Sequence, residues 1–517
     1  MQRYNILWAD DEIDLLKPHI MFLDKKGYDV TPVNSGADAL EKCESFDYDV
    51  VFLDENMPGM SGLETLTQIK SLHPNLPVIM ITKSEEEHIM EEAIASKIAD
   101  YLIKPLNPNQ ILLSVKKIFD NKRLINEKVN LSYQQEFQKI GMAVNGYLDY
   151  NEWADIYKKL VYWELEFENT QNREMAEILN LQMMEANTNF ARYIKENYQN
   201  WLEDDNEDKP LLSHNLFKEK VLPKIGKDNP TIFLVIDNMR LDQWKIIEPF
   251  ILEFFTTDEF DTYYSILPTT TAYARNAIFS GQLPLDMATS HSDIWISEDQ
   301  EGGKNNHEED FLKRFLRSQK SDLKVSYHKI KNLSQGRAMI DNIPNMLHKD
   351  LTVIVYNFVD MLSHARTEME IIRELAPNEA AYRSITRSWF IHSPLYESIK
   401  RMAEHKVKLI ISTDHGTIRV KKPFKIIGDR NTNTNLRYKV GKNLNFDENK
   451  IFFIRDPELL RLPKINVSST YVFAMEDAFF AYPNNYNYYV NYYRDTFQHG
   501  GLSLEEMIIP IISLNSK

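Results

Sequence analysis

Only one cysteine, Cys43, occurs in the 517 residues. A lone thiol permits neither an internal disulfide nor a thiolate cluster. The chain therefore suits a reducing compartment, and any metal it binds must be held by oxygen and nitrogen. Basic residues are also in deficit, with 60 Lys and Arg against 76 Asp and Glu, a formal charge of -16. That balance opposes general attraction to duplex phosphates, so direct DNA binding is not expected. No uninterrupted apolar run is long enough to cross a bilayer. The opening residues Met1-Gln2-Arg3-Tyr4-Asn5-Ile6 lead straight into strand-like and acidic sequence, without the apolar core of a signal peptide. These absences lead to the expectation of a soluble cytoplasmic protein without membrane insertion.

At about 150 residues per domain the length predicts roughly three domains, and the composition changes accordingly. From Tyr4 to about Lys122 short apolar runs (Ile6 to Ala9, Asp49 to Leu53, Pro77 to Ile81, Tyr101 to Ile103) alternate with helix-like segments. This pattern predicts a parallel sheet covered on both faces. From Arg123 to about Glu203 proline is missing and glycine is rare, while Trp153, Ile156, Tyr157, Leu160 and Val161 recur at helical spacing. A small bundle of amphipathic helices is expected there, with Trp163, Phe167, Met183 and Met184 as packing residues. The acidic run Glu203-Asp204-Asp205-Asn206-Glu207-Asp208-Lys209-Pro210 reads as a solvated linker. Strand and helix patterns then resume to the end. The domains are expected at 1–122, 123–205 and 206–517.

In the first segment, polar residues fall at the carboxyl ends of the strands, where open parallel sheets collect their ligands. They are Asp10 and Asp11, Asp54, Thr82, and Lys104. Crowded carboxylates repel one another unless a cation joins them, and hard oxygen ligands suit Mg²⁺. A lysine and a hydroxyl beside them suit a phosphoryl group. Together with Asp54-Glu55-Asn56-Met57-Pro58-Gly59, this set resembles the flavodoxin-like receiver domain of bacterial response regulators. The resemblance implies phosphorylation of Asp54 by a histidine kinase, Mg²⁺ on Asp10 and Asp11, phosphoryl contacts from Thr82 and Lys104, and Tyr101 as a switch aromatic.

The third segment repeats the logic with other ligands. Thr231 to Ile236 stops at Asp237, Thr352 to Phe358 stops just short of Asp360, and Val407 to Ile411 leads to Asp414-His415. Asp360 and His364 are four residues apart and share a side if a helical turn begins there. His499 stands late in the chain beside Gly500 and Gly501. Any one of these alone reads as a cap or a turn residue. As a set, three aspartates and three histidines divide into two oxygen-and-nitrogen sites that suit Zn²⁺ or Mn²⁺. Thr269-Thr270-Thr271 adds hydroxyls that a metal or base could activate. If it opens a helix, its N–H groups favour an anion.

The pattern of strand-end Asp, Thr, Asp-x-x-x-His, Asp-His-Gly and late His resembles the PglZ-type branch of the alkaline phosphatase superfamily. The resemblance implies an alkaline-phosphatase-like α/β domain with two metals. Asp237, Thr271, Asp414 and His415 would hold one ion, and Asp360, His364 and His499 the other. Thr271 would be the nucleophile, with Thr270 as the alternative, and Asn238 and Arg275 would contact phosphate. Receiver, helical segment and PglZ-type domain together resemble the PorX-type response regulators associated with type IX secretion and gliding. That architecture implies a cognate histidine kinase, a sigma factor as the route to transcription, and a homodimer on phosphorylation. The expected output is a phosphodiesterase acting on cyclic or linear nucleotides or oligonucleotides. The competing reading is a phosphorylation-controlled scaffold whose metal site is not catalytic. The tyrosine-rich stretch Tyr482 to Tyr493 reads as aromatic packing, with base stacking as the alternative.

Overall fold

The computed structural model describes the chain apart from residues 1–3, 84–97, 171, 204–205, 227–228, 299, 301 and 429–431, and apart from the side chains of residues 121–126, 364–366, 368 and 370. It divides into two compact units, Met1–Ser132 and Tyr133–Lys517.

In the first unit, β1 (Tyr4–Ala9), β2 (Tyr28–Val33), β3 (Val50–Asp54), β4 (Val78–Thr82) and β5 (Asp100–Ile103) form a sheet of order β2-β1-β3-β4-β5. Every neighbouring pair is parallel. The inner strands read as continuous apolar runs because both faces are covered. Ile6, Trp8, Phe52, Ile79 and Ile81 pack into one core, and Leu7, Ala9, Val51, Leu53, Val78 and Met80 into the other. Strand β2, absent from the sequence expectation, lies at the edge. Its sequence carries Asp29, Thr31 and Pro32, and proline, which has no N–H for a ladder, is tolerated there. The parallel arrangement brings Asp10, Asp54, Thr82 and Lys104 to one edge.

In the second unit, helices Tyr150–Thr170 and Arg173–Trp201 pack together. Trp153, Ile156, Tyr157, Leu160 and Val161 are all buried, as their spacing predicts. Trp163 and Phe167 lie against Tyr133 with ring centroids 5.3 and 4.9 Å away, whereas Met183 and Met184 are half-buried. A mixed sheet follows, built from β6 (Thr231–Ile236), β7 (Phe255–Tyr264), β8 (Val325–Ile330), β9 (Leu351–Tyr356), β10 (Lys408–Ser412) and β11 (Ile508–Ser516), in the order β7-β11-β10-β6-β9-β8. Strands β10, β6, β9 and β8 are parallel, and β11 runs against both its neighbours. Strand β6 pairs with β9 on one side and with β10 on the other. The parallel β10 and β6 lie side by side, so the loops beyond their carboxyl ends meet at one crevice, where sheets of this kind gather ligands. Asp237 and Asp414 follow those two ends. Strand β9 ends at Tyr356, two residues before the sequence expectation, and Asp360 lies in the first turn of helix Phe358–Glu368.

An ion network ties the helix Tyr150–Thr170 to the helices Leu241–Leu252 and Glu379–Ile391. Arg383, 3% exposed, pairs with Glu164 at 2.8 Å, Glu168 at 2.5 Å and Asp242 at 2.9 Å. Asp242 in turn holds Arg240 at 2.6 Å. Arg383→Ala would strip buried Asp242 and the partly exposed Glu164 and Glu168 of one cation, while Arg240 still serves Asp242. The expected loss is therefore at the low end for a broken buried pair, about 3 kcal/mol. A urea titration of the full chain checks it, and an unchanged midpoint would contradict the role assigned to the network.

Candidate metal and phosphoryl sites

Strand β6 delivers Asp237, whose N–H donates to the Tyr356 carbonyl at 2.9 Å. The next residue, Asn238, adopts a left-handed backbone (φ 64°), a region asparagine tolerates better than most side chains. That turn points Asn238 two ways. Its N–H donates to Asp414 Oδ1 at 3.3 Å, and its Nδ2 to Ser363 Oγ at 3.2 Å and Asp360 Oδ1 at 3.4 Å.

Strand β10 delivers Thr413, Asp414 and His415, all fully buried. Tyr263 donates to the Thr413 carbonyl at 2.5 Å, and Ser265 to the Asp414 carbonyl at 2.7 Å, which fixes the turn. At Gly416 a Cβ would lie 2.0 Å from the Glu505 carbonyl oxygen, so only glycine fits. His415 Nδ1 lies 3.1 Å from the Gly416 carbonyl, which can only accept. The proton is therefore on Nδ1, and the Nε2 lone pair faces the cluster.

Helix Thr271–Ser280 begins at the same crevice, with Thr270 as its extended N-cap. Thr271 Oγ1 lies 3.3 Å from Asp237 Oδ1 and 3.1 Å from His415 Nε2. The Thr270 hydroxyl is buried without a hydrogen-bond partner. Thr269 accepts from Gly500 N–H at 3.1 Å and donates to the Gly501 carbonyl at 2.8 Å. It thereby staples the His499 loop to the start of this helix. His499 stacks on His415 with ring centroids 4.3 Å apart, and its Nε2 lies 3.6 Å from Asp360 Oδ1. His364 lies outside the described residues.

Asp237, Asp414 and His415 can place one ligand atom each within 4.8 Å of one another. Burial pushes the Asp237 carboxyl above its usual range. Arg275 draws it back down, and neighbouring Asp414 pushes it further up. Asp414 Oδ2 is buried without a hydrogen-bond donor. Two crowded carboxylates, an orphaned oxygen and an imidazole lone pair are the donor set a divalent cation satisfies, so these residues fit a metal.

Arg275 lays its guanidinium on Asp237: Nη1 is 2.6 Å from Asp237 Oδ2 and 3.6 Å from Asp414 Oδ2. It is anchored from behind by Glu308 at 2.6 Å, which also pairs with Lys329 at 2.8 Å and accepts from the Tyr327 hydroxyl. Because Glu308 offsets its charge, Arg275 acts mainly by aiming Asp237 and keeping it ionised. Arg275→Gln is expected to weaken Zn²⁺ or Mn²⁺ affinity about 10- to 100-fold, the usual effect of removing an outer partner of a ligand. Chelator competition measures this directly, and an unchanged affinity would contradict it. Sequence reading did not find Glu308, Lys329, Arg240, Asp242 or Arg383. No local motif marks them, since Glu308 and Lys329 reach the site only through Arg275, and the other three form a network with one another and with distant carboxylates.

In the first unit, the Asp10, Asp11 and Asp54 carboxylates can also place ligand atoms within 4.8 Å of one another, the set expected to hold Mg²⁺. Lys104 Nζ lies 2.8 Å from both Asp10 Oδ2 and Asp54 Oδ1. Burial pushes the Asp54 carboxyl up, and the Lys104 hydrogen bond opposes it. Thr82 is buried at the end of β4, opposite Ile103 of the paired strand β5, and Tyr101, opposite Met80, is half-buried. The tyrosine-rich stretch forms helix Tyr486–Tyr493, where Tyr488 is 63% exposed and stacks on Tyr492. No helix among the described residues is long and apolar enough to cross a membrane.

Comparison with known families accounts for most of the chain. Residues 6–116 match the response regulator receiver domain, residues 123–202 the PorX response regulator linker domain, and residues 216–514 the BREX system PglZ alkaline phosphatase-like domain. The curated relatives share only the first part. The transcriptional regulatory protein ZraR of Klebsiella oxytoca is 33% identical over 140 residues, 27% of this chain and 32% of that protein. The transcriptional regulatory protein ResD of Bacillus subtilis is 32% identical over 113 residues, 22% of this chain and 47% of that protein. The chain thus spans between a third and a half of their length. Among solved structures, a CheY-like receiver domain protein from Methanospirillum hungatei is similar at 26% identity with a TM-score of 0.23, covering 23% of this chain and 96% of that one. Chemotaxis protein CheY4 of Vibrio cholerae is similar at 28% identity with a TM-score of 0.22, covering 23% and 99%.

Proposed function

The chain belongs to the PglZ family of alkaline phosphatase-like domains, here joined to a receiver and a PorX-type linker in a response regulator, and we propose that its output is a metal-dependent phosphodiesterase acting on nucleotide or oligonucleotide diesters. The observation that carries this reading is the Thr271 hydroxyl, within hydrogen-bond reach of both Asp237 and His415 in a buried cluster of ligand-type atoms. A structural polar turn has no need to bring a helix-start hydroxyl to that point.

Asp237, Thr271, Asp414 and His415 would hold one Zn²⁺ or Mn²⁺, and Asp360, His364 and His499 the other. When bound, the ions would supply Lewis-acid stabilisation of the threonine alkoxide and the phosphoryl oxygens. Thr271 Oγ1 attacks phosphorus in line, so a phosphorus–oxygen bond to threonine forms as the bond to the leaving alcohol breaks, and the departing oxygen takes up a proton. Water then cleaves the phosphothreonine and restores the hydroxyl. Asn238, tied to both Asp414 and Asp360, keeps the two halves of the site in register.

In the receiver, Asp54 takes a phosphoryl group from a histidine kinase, with Mg²⁺ held by Asp10, Asp11 and Asp54. Lys104 and Thr82 stabilise the phosphoryl oxygens, and Tyr101 reports the change. The linker supports a place in type IX secretion or gliding control, with phosphorylation driving a homodimer and a sigma factor carrying the signal to transcription. The test is a panel of cyclic and linear diesters incubated with metal-loaded full-length protein. Cleavage of none would sink the phosphodiesterase reading and leave the partner-binding scaffold.

A further inference from the structure

The turns that carry the metal-ligand residues lean on a helix outside the phosphatase-like segment, and we propose that Asn187 of the linker helix Arg173–Trp201 is a positioning residue for the metal centre. This inference rests on the metal-site reading above.

The contact runs through the short segment Ser503 to Glu506, which touches both ligand-bearing stretches. On one side it backs the His415 turn. The Gly416 N–H donates to the Glu506 carbonyl at 3.2 Å, and the Glu505 carbonyl oxygen presses on the Gly416 Cα, where a Cβ would lie 2.0 Å from it. Gly416 in turn supplies the carbonyl that orients the His415 ring. On the other side, Glu506 Oε1 accepts from the Gly501 N–H at 2.9 Å, in the loop that carries His499. The same carboxylate holds the Ser503 hydroxyl at 2.8 Å and pairs with Arg437 at 2.5 Å, and all three side chains are fully buried. A shift of this segment would therefore move His415 and His499 together.

Asn187 is the linker side chain that holds it. The Leu504 N–H donates to Asn187 Oδ1 at 2.8 Å, and Asn187 Nδ2 donates to the two Glu505 carboxylate oxygens at 3.2 and 3.1 Å. Asn187 is 4% exposed, so water does not readily replace these bonds when they are lost. The same helix face also reaches the threonine run. Tyr198 lies about three turns further along, and its hydroxyl accepts from the Leu267 N–H at 2.8 Å, just ahead of Thr269, Thr270 and Thr271. Phe190, Ala191 and Ile194, between Asn187 and Tyr198, are buried as well. One packed face of the linker thus braces the ligand turns and the start of the Thr271 helix against each other.

Asn187→Leu tests this in the full chain, because leucine keeps the volume and the helix but makes none of the three hydrogen bonds. Zn²⁺ affinity, measured by chelator competition, is expected to fall about tenfold, the low end for an outer partner of a metal ligand, since Asn187 acts through the intervening segment. Asn187→Ala takes its place if the leucine variant does not fold, with the same expectation. The double variant Asn187→Asp/Glu505→Gln exchanges donor and acceptor, preserves the net charge and keeps an acceptor for the Leu504 N–H. It is expected to return the affinity to within threefold of the parent. A single variant already within threefold of the parent overturns the proposal, as does a double variant no better than the single one. A parent chain that binds no Zn²⁺ removes the metal-site reading and this inference with it. If the affinities follow the expected cycle but the parent cleaves no diester, the role of Asn187 stands and the diesterase reading falls.

Discussion

Thr271→Ala is expected to lower diester cleavage by on the order of 10⁴-fold or more, the scale seen when a nucleophile is removed from a catalytic group that acts as a unit. Thr271 is singled out by contact, since its Oγ1 is the threonine oxygen within reach of both Asp237 and His415. Thr271→Ser keeps the oxygen and should retain most of the rate. Thr270→Ala is the necessary comparison, because the adjacent hydroxyl is buried but hydrogen-bonded to nothing. Metal content, measured alongside, separates loss of the nucleophile from collapse of the site. Thr271→Ala protein that holds metal and still cleaves at the parental rate would remove Thr271 from the mechanism. If the same substitution leaves secretion intact while cleavage is lost, the output is partner binding rather than chemistry.

The second large effect is at the receiver. Asp54→Asn should abolish phosphoryl uptake from a histidine kinase or a small phosphodonor, because the amide cannot form the acyl phosphate. Phosphate-affinity electrophoresis reads this out. Lys104→Ala is expected to be milder in uptake yet to blunt the response, since Lys104 touches both Asp10 and Asp54. It is the cation offsetting the upward push that burial gives the Asp54 carboxyl. If beryllofluoride changes neither the oligomeric state nor the diesterase rate of the full chain, the two phosphoryl centres work independently.

Asp54 and Thr271 differ in how far sequence alone could take each. The receiver strands were legible because a parallel sheet covered on both faces requires continuous apolar runs, and its polar residues are then forced to the strand ends. Strand β2 escaped because an edge position relaxes that demand and admits Asp29, Thr31 and Pro32. In the second unit, Asp237, Asp360, Asp414 and His415 were nameable for the same reason: each closes or follows an apolar strand. His499 and Thr271 follow no such rule and rested on the pattern of the set.

Sequence by itself determined the order of elements and the chemistry available at their ends, since strand length, helix spacing and residue type are local properties. Only the tertiary structure decided which of those ends meet. The hydrogen-bonded ladder between β6 and β10 places Asp237 beside Asp414. The Thr269 staple brings the His499 loop to the start of the Thr271 helix. The Arg275–Glu308 pair is brought against Asp237. Each is an ion pair or hydrogen bond between residues distant in the chain, whose strength depends on shared burial. Burial is a property of the packed whole, and the local pattern that predicts a strand carries no record of what will be packed against its end.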